Sequence, residues 1–194
     1  MRYKLFGVSV EISYYFLCAV CISIALDKSG LFAITLFSAA LHEMGHLVFI
    51  VIFNGRIRSI RFTLGCLGIE YHDNFSKSEE VISLLAGPFT NLILGLISRL
   101  LGFNTFCVIN MVLGIYNLLP VCGLDGGLII IKILENKVDN RIVTIILDFL
   151  TISVAIGFIL LFFVGIWHNS VNLSLILFSL YLILPVVLKK LVER

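Results

Sequence analysis

The sequence predicts an all-α polytopic membrane protein with about six transmembrane helices and one short membrane-associated β segment after the second. Three observations predict it. Hydrophobic residues make up 60% of the 194 residues and charged residues only 13%, whereas a soluble domain carries roughly a quarter charged. The mean hydropathy is +1.10. Apolar runs close to the ~20 helical residues that cross a bilayer's hydrocarbon recur near 8–26, 31–53, 81–101, 103–120, 142–167 and 171–188. With no repeat, low-complexity tract or linker between them, the chain is read as a single integral-membrane domain, 1–194.

The run 8–26 is interrupted by Glu11, follows Arg2 and Lys4 and contains Ser23-Ile24-Ala25. It reads as a first span, with a cleaved signal peptide as its alternative. The five cysteines, Cys18, Cys21, Cys66, Cys107 and Cys122, include one C-x-x-C pair without a second to complete a metal site. They read as small apolar packing groups. Between the second and third spans, "GRIRSIRFTLGCLGIEYH" at 55–72 sets Ile57, Ile60, Phe62 and Leu64 among basic residues. That alternation predicts a strand pair at the membrane interface, turning near Gly65 and Gly68.

Charge gives the orientation. With both termini cytoplasmic, all 14 Lys and Arg except Lys28 and Arg99 fall on the cytoplasmic side, as the positive-inside rule requires. The net charge of +2 is too small to mark a nucleic-acid partner. The expected surroundings are the lipid bilayer and other membrane proteins.

The second span carries "ALHEMGHLVFI" at 40–50. Ionisable groups inside a span are costly and mark function. His42 and His46 are four apart and project from one helix face. Glu43 lies on the flank of that face. Two imidazoles at this spacing can bind one zinc ion, with the carboxylate placed as general base toward a water on the metal. At 1.5 Å per residue His42 lies about 16 Å from Leu31, near the midplane.

A catalytic zinc takes three protein ligands, and Glu11, Glu70, His72, Asp73, Asp125 and Asp148 are the candidates for the third. Asp125 is favoured. It follows Pro120 and precedes Gly126 and Gly127, an interrupted helix of the kind that lines a cavity in a membrane. Asp148, inside a span without Gly or Pro beside it, is the rival.

"HEMGH" at 42–46, "AGPFTN" at 86–91 and "NLLPVCGLDGG" at 117–127 occur in this order along the chain. Together they resemble the site-2 protease family of intramembrane zinc proteases. The resemblance implies one zinc per chain on His42, His46 and Asp125, with Glu43 as catalytic base. It assigns Asn91, Asn117, Gly87 and Pro88 to the substrate backbone or the oxyanion. The sequence departs from the family in having Gly123 where a proline often precedes Leu-Asp-Gly, and neither an inserted PDZ domain nor a C-terminal CBS domain is expected within these 194 residues. The compact layout resembles the branch that processes a pro-sigma factor during sporulation. The implied partners are a membrane-associated or single-span protein substrate and regulatory membrane proteins.

The function expected is therefore hydrolysis of a peptide bond in or near a membrane segment. The alternatives are a non-catalytic zinc-binding scaffold and a metal transporter. A transport path distributes ligands along the membrane normal, often on repeated halves, and this sequence shows neither. A scaffold has no need of Glu43.

Overall fold

The structure, a computed structural model, describes residues 2–5, 8–62, 67–72 and 75–167, with 176, 179, 180, 182, 183 and 186. The chain divides into two compact units, Met1–Tyr116 and Asn117–Arg194.

The first unit begins with strands β1 (Arg2–Leu5) and β2 (Val8–Ile12), then helices α1 (Tyr14–Leu26) and α2 (Leu31–Ile52). Strands β3 (Arg56–Phe62) and β4 (Leu67–His72) follow, then helix α3 (Lys77–Leu100) and helix α4 (Asn104–Asn117), whose last residue opens the second unit. The four strands make one sheet in the order β1-β2-β3-β4. β1 and β2 are antiparallel, β2 and β3 parallel, and β3 and β4 antiparallel. Helices α1 and α2 form the crossover between the parallel pair.

This sheet corrects two expectations. The chain is mostly helical but not all-α, and the interfacial β segment is half of a larger sheet. The run 8–26 is not one span. Val8, Val10 and Ile12 alternate with Ser9 and Glu11, a period of two, so the first five residues join the sheet. Ser9 pairs with Ser59 and Glu11 with Arg61 across β2 and β3. The remaining 13 residues form α1, about 20 Å long and short of a ~30 Å hydrocarbon core. Of the expected turn, Gly68 lies within β4 opposite Arg61, and Gly65 falls outside the described residues.

Among the described residues three helices are long and apolar enough to cross a membrane: Leu31–Ile52, Lys77–Leu100 and Asn140–Trp167. They match the expected spans 31–53, 81–101 and 142–167. The expected span 103–120 is the 14-residue α4, and 171–188 falls largely outside the described residues.

These helices bury what a soluble protein would expose. The inward stripe of α2 is Ser38, His42, Gly45, His46 and Ile50, and that of α3 is Ser83, Gly87, Asn91, Gly95 and Ser98. Phe37, Val48, Val51, Phe89, Ile93 and Leu96 face outward. Small and polar residues between helices, with large apolar ones outside, is the packing used where the surroundings are lipid.

Helix ends are set by local chemistry. Ser76 caps α3 in a capping box, its backbone N–H donating to Glu79 Oε2 at 2.7 Å and its Oγ accepting from Glu79 N at 3.4 Å. At α2 the N-cap is Gly30, and the Asp27 carboxylate three residues before it accepts from Phe32 N at 2.9 Å and Ala33 N at 3.3 Å. Both follow the preference for short oxygen-bearing side chains over orphan helix N–H groups.

In the second unit a loop leads from Leu118 to α5 (Asp125–Leu134), then to α6 (Asn140–Trp167). Helix α6 buries the stripe Val143, Leu147, Thr151 and Ala155, with Asp148 beside it.

Candidate metal centre

In the first unit, α2 and α3 bring His42, His46, Gly87 and Asn91 together. Both imidazoles are buried. Their rings stand edge to face, centroids 4.8 Å apart, with His42 Nε2 and His46 Nε2 at 3.2 Å.

The other ring nitrogens explain that pose. His46 Nδ1 lies 2.7 Å from Ser83 O. A carbonyl only accepts, so this nitrogen carries the proton. His42 Nδ1 meets Asn91 Oδ1. The Asn91 amide is oriented by its nitrogen, which donates to Ser38 O at 3.2 Å and to Asn110 Oδ1 at 2.8 Å. Its oxygen therefore faces His42, and His42 Nδ1 also donates.

Both histidines are thus held with Nδ1 protonated, and both Nε2 lone pairs point at one locus. In a low dielectric that arrangement repels itself, and a cation between the two nitrogens relieves it. Two nitrogens bound to one zinc at about 2.0–2.1 Å in tetrahedral geometry stand about 3.3–3.4 Å apart, close to the observed 3.2 Å. The donor set fits the metal that the sequence implies.

Gly87 keeps the locus open. A Cβ there would overlap His46 Nε2 and stand 2.7 Å from His42 Nε2. Sequence reasoning expected Gly87 at the substrate; the structure puts its bare Cα against the two imidazoles. Pro88 is fully buried, and Glu43 is half-buried on α2, one residue beyond His42.

In the second unit Asp125 is the first residue of α5, with Leu124 as N-cap. A carboxylate there complements the helix dipole. Gly126 and Gly127 press the start of α5 onto the preceding turn: Cβ atoms would overlap the carbonyl oxygens of Leu118 and Leu119, and of Val121. Gly123 has φ +90°, a left-handed conformation closed to proline, whose φ is locked near −65°. The departure from the family pattern therefore has a local backbone of its own.

The loop is also pinned from α6. Cys122 N donates to Thr151 Oγ1 at 3.0 Å, and Thr151 Oγ1 donates to Leu147 O at 2.7 Å. Sequence reasoning missed Thr151, because a threonine within an apolar run carries no signal of its own. Asn117 ends α4 half-buried. Asp148, the rival third ligand, is buried on α6 one turn before Thr151. Glu11 lies on β2 and not in a span; Glu70 and His72 are backbone positions of β4. Asp73 falls outside the described residues.

Residues 99–164 match the family model Peptidase family M50. A solved structure, the site-2 protease from Methanocaldococcus jannaschii, superposes with a TM-score of 0.68 at 26% identity, over 95% of this chain and 92% of that one. This chain is similar to site-2 proteases in its fold and in its M50-matching stretch. Over 92% of its length it is 29% identical to the zinc metalloprotease MJ0392 of Methanocaldococcus jannaschii. A stretch of 99 residues is 32% identical to stage IV sporulation protein FB of Bacillus subtilis, covering 45% of this chain. The chain spans 57% of the length of the first of these curated relatives and 34% of the second. The M50 match begins beyond the histidines and includes Asn110 and Asp125, so the histidine geometry and the family match come from different parts of the chain.

Proposed function

We propose that this chain is a site-2-type intramembrane zinc metalloendopeptidase, cleaving a peptide bond in or near a membrane segment of a protein substrate. The convergence of two buried Nε2 atoms at 3.2 Å carries the reading, because it suits a metal better than it suits helix packing. His42 and His46 supply two ligands and Asp125 the third. Asp125 is chosen over Asp148 because glycines and a pinned loop set its position, while Asp148 has ordinary helix around it.

A zinc held by these residues would supply Lewis acidity at the reacting carbonyl. Glu43 takes the proton from the attacking water at its carboxylate and delivers it to the leaving amine nitrogen. Pro88 and Asn117 border the substrate, with the Asn117 amide offered to its backbone. A helical substrate shields its own peptide bonds, so it must unwind to be cut. Strand β4 ends the sheet order and has an edge to which an extended segment can add, giving sequence-tolerant binding. The likeness to a sporulation protein supports a pro-sigma factor as substrate, and the basic-residue bias supports cytoplasmic termini.

Zinc analysis of purified Asp125→Asn and Asp148→Asn separates the two carboxylates. The reading expects Asp148→Asn to retain one zinc per chain and Asp125→Asn to bind it at least tenfold more weakly. The reverse order would move the third ligand to α6.

A further inference from the structure

We infer that Ser38, Asn91 and Asn110 form a relay of positioning residues that decides which nitrogen of His42 is offered to the metal. All three are fully buried. Their hydrogen bonds have one direction. Asn110 Nδ2 donates to Phe106 O at 2.9 Å and to Ser38 Oγ at 3.0 Å, so a backbone carbonyl fixes the Asn110 amide and turns its Oδ1 toward Asn91. Asn91 donates to that oxygen and to Ser38 O. A second carbonyl thereby fixes the Asn91 amide and turns its Oδ1 onto His42 Nδ1.

Three helices thus set one tautomer. Helix packing requires only that buried amides find partners. Here two carbonyl anchors, Phe106 O and Ser38 O, allow a single donor order, and the order ends at His42. His46 needs no relay, since the Ser83 carbonyl acts on it directly. The relay also assigns Asn91: its oxygen holds His42 and its nitrogen holds α2 and α4, so it acts through the ligand and not on the oxyanion.

The inference rests on the reading that His42 offers Nε2 to zinc, and its test begins without zinc. The full chain, ¹⁵N-labelled at histidine in detergent micelles, is examined metal-free at about pH 8, above the ordinary histidine pKa of roughly 6.5. Wild type is expected to show His42 and His46 as Nδ1–H tautomers. Asn91→Leu should convert His42 to a mixture and leave His46 unchanged, whereas Asn91→Asp, which keeps an acceptor, should retain the tautomer. Zinc affinity should fall about 10–100-fold in Asn91→Leu, the usual effect of removing a ligand's support, and return toward wild type in Asn91→Asp. Asn110→Leu, whose site does not touch His42, should shift the tautomer in the same direction and serves if Asn91→Leu does not accumulate. An unchanged His42 in the leucine variants, or an equal change in both histidines, would overturn the relay. Loss of proteolysis alone bears on the proposed function and not on the relay.

Discussion

His42 and His46 are built so that their second nitrogens are consumed by Asn91 and Ser83, and that costs two of the polar partners the helix bundle has to offer. The two Nε2 atoms face one locus, and nothing larger than Gly87 fits beside them. Gly87→Ala is expected to weaken zinc binding about 10–100-fold, the range for disturbing a ligand's surroundings, with the helix content unchanged. Competition with a chromogenic chelator measures it, alongside far-ultraviolet circular dichroism. Helix α2 drew attention because His42, Glu43 and His46 stand out in an apolar run, where each charge is selected against. The Ser83 carbonyl was not legible, since a backbone acceptor leaves no mark on side-chain identity. Asn91 stood out in the sequence as a candidate, but its hydrogen-bond partners and donor order are visible only in the structure.

Among the elements, α2, α3 and α6 were predicted within a few residues, because long apolar runs admit little else. The failure at 8–26 has a specific cause. Five residues of strand and 13 of helix sum to the length of one span, and composition alone cannot divide them. The alternation of Val8, Val10 and Ile12 with Ser9 and Glu11 carried the division. The short helix α5 was invisible for a related reason: ten residues with two glycines at the start read as a loop. The turn before α2 makes its own prediction. Slight burial pushes Asp27 upward, but hydrogen bonds from Ser29, Ala33 and Phe32 outweigh it and hold the carboxyl below its ordinary value. A depressed pKa in the folded state means that the carboxylate's stabilisation is complete above the unfolded value, about 3.9, and is lost as pH falls through the folded one. Thermal unfolding in detergent between about pH 3 and 6 should show that loss in wild type. Asp27→Asn should lack this part of the pH dependence and melt lower at neutral pH.

Across the whole molecule, lipid exposure inverts the ordinary rule of burial. Serine, asparagine, glycine and histidine line the inner faces of α2 and α3, while leucine, isoleucine and phenylalanine face outward. Such a chain spends its polar residues where they do chemistry or fix geometry, because each one buried idly would remain an uncompensated cost. Gly126 and Gly127 fall where close approach is required, against the turn before α5. The central claim, that this chain hydrolyses peptide bonds with Glu43 as base, is most directly tested by comparing purified wild type with Glu43→Gln. Zinc content and cleavage of single-span and pro-sigma-type substrates are measured on the same preparations. The account predicts one zinc per chain in both proteins, cleavage by wild type, and a rate at least about 10²-fold lower in the variant. Cleavage by Glu43→Gln at the wild-type rate, or wild type that holds no zinc, would contradict it.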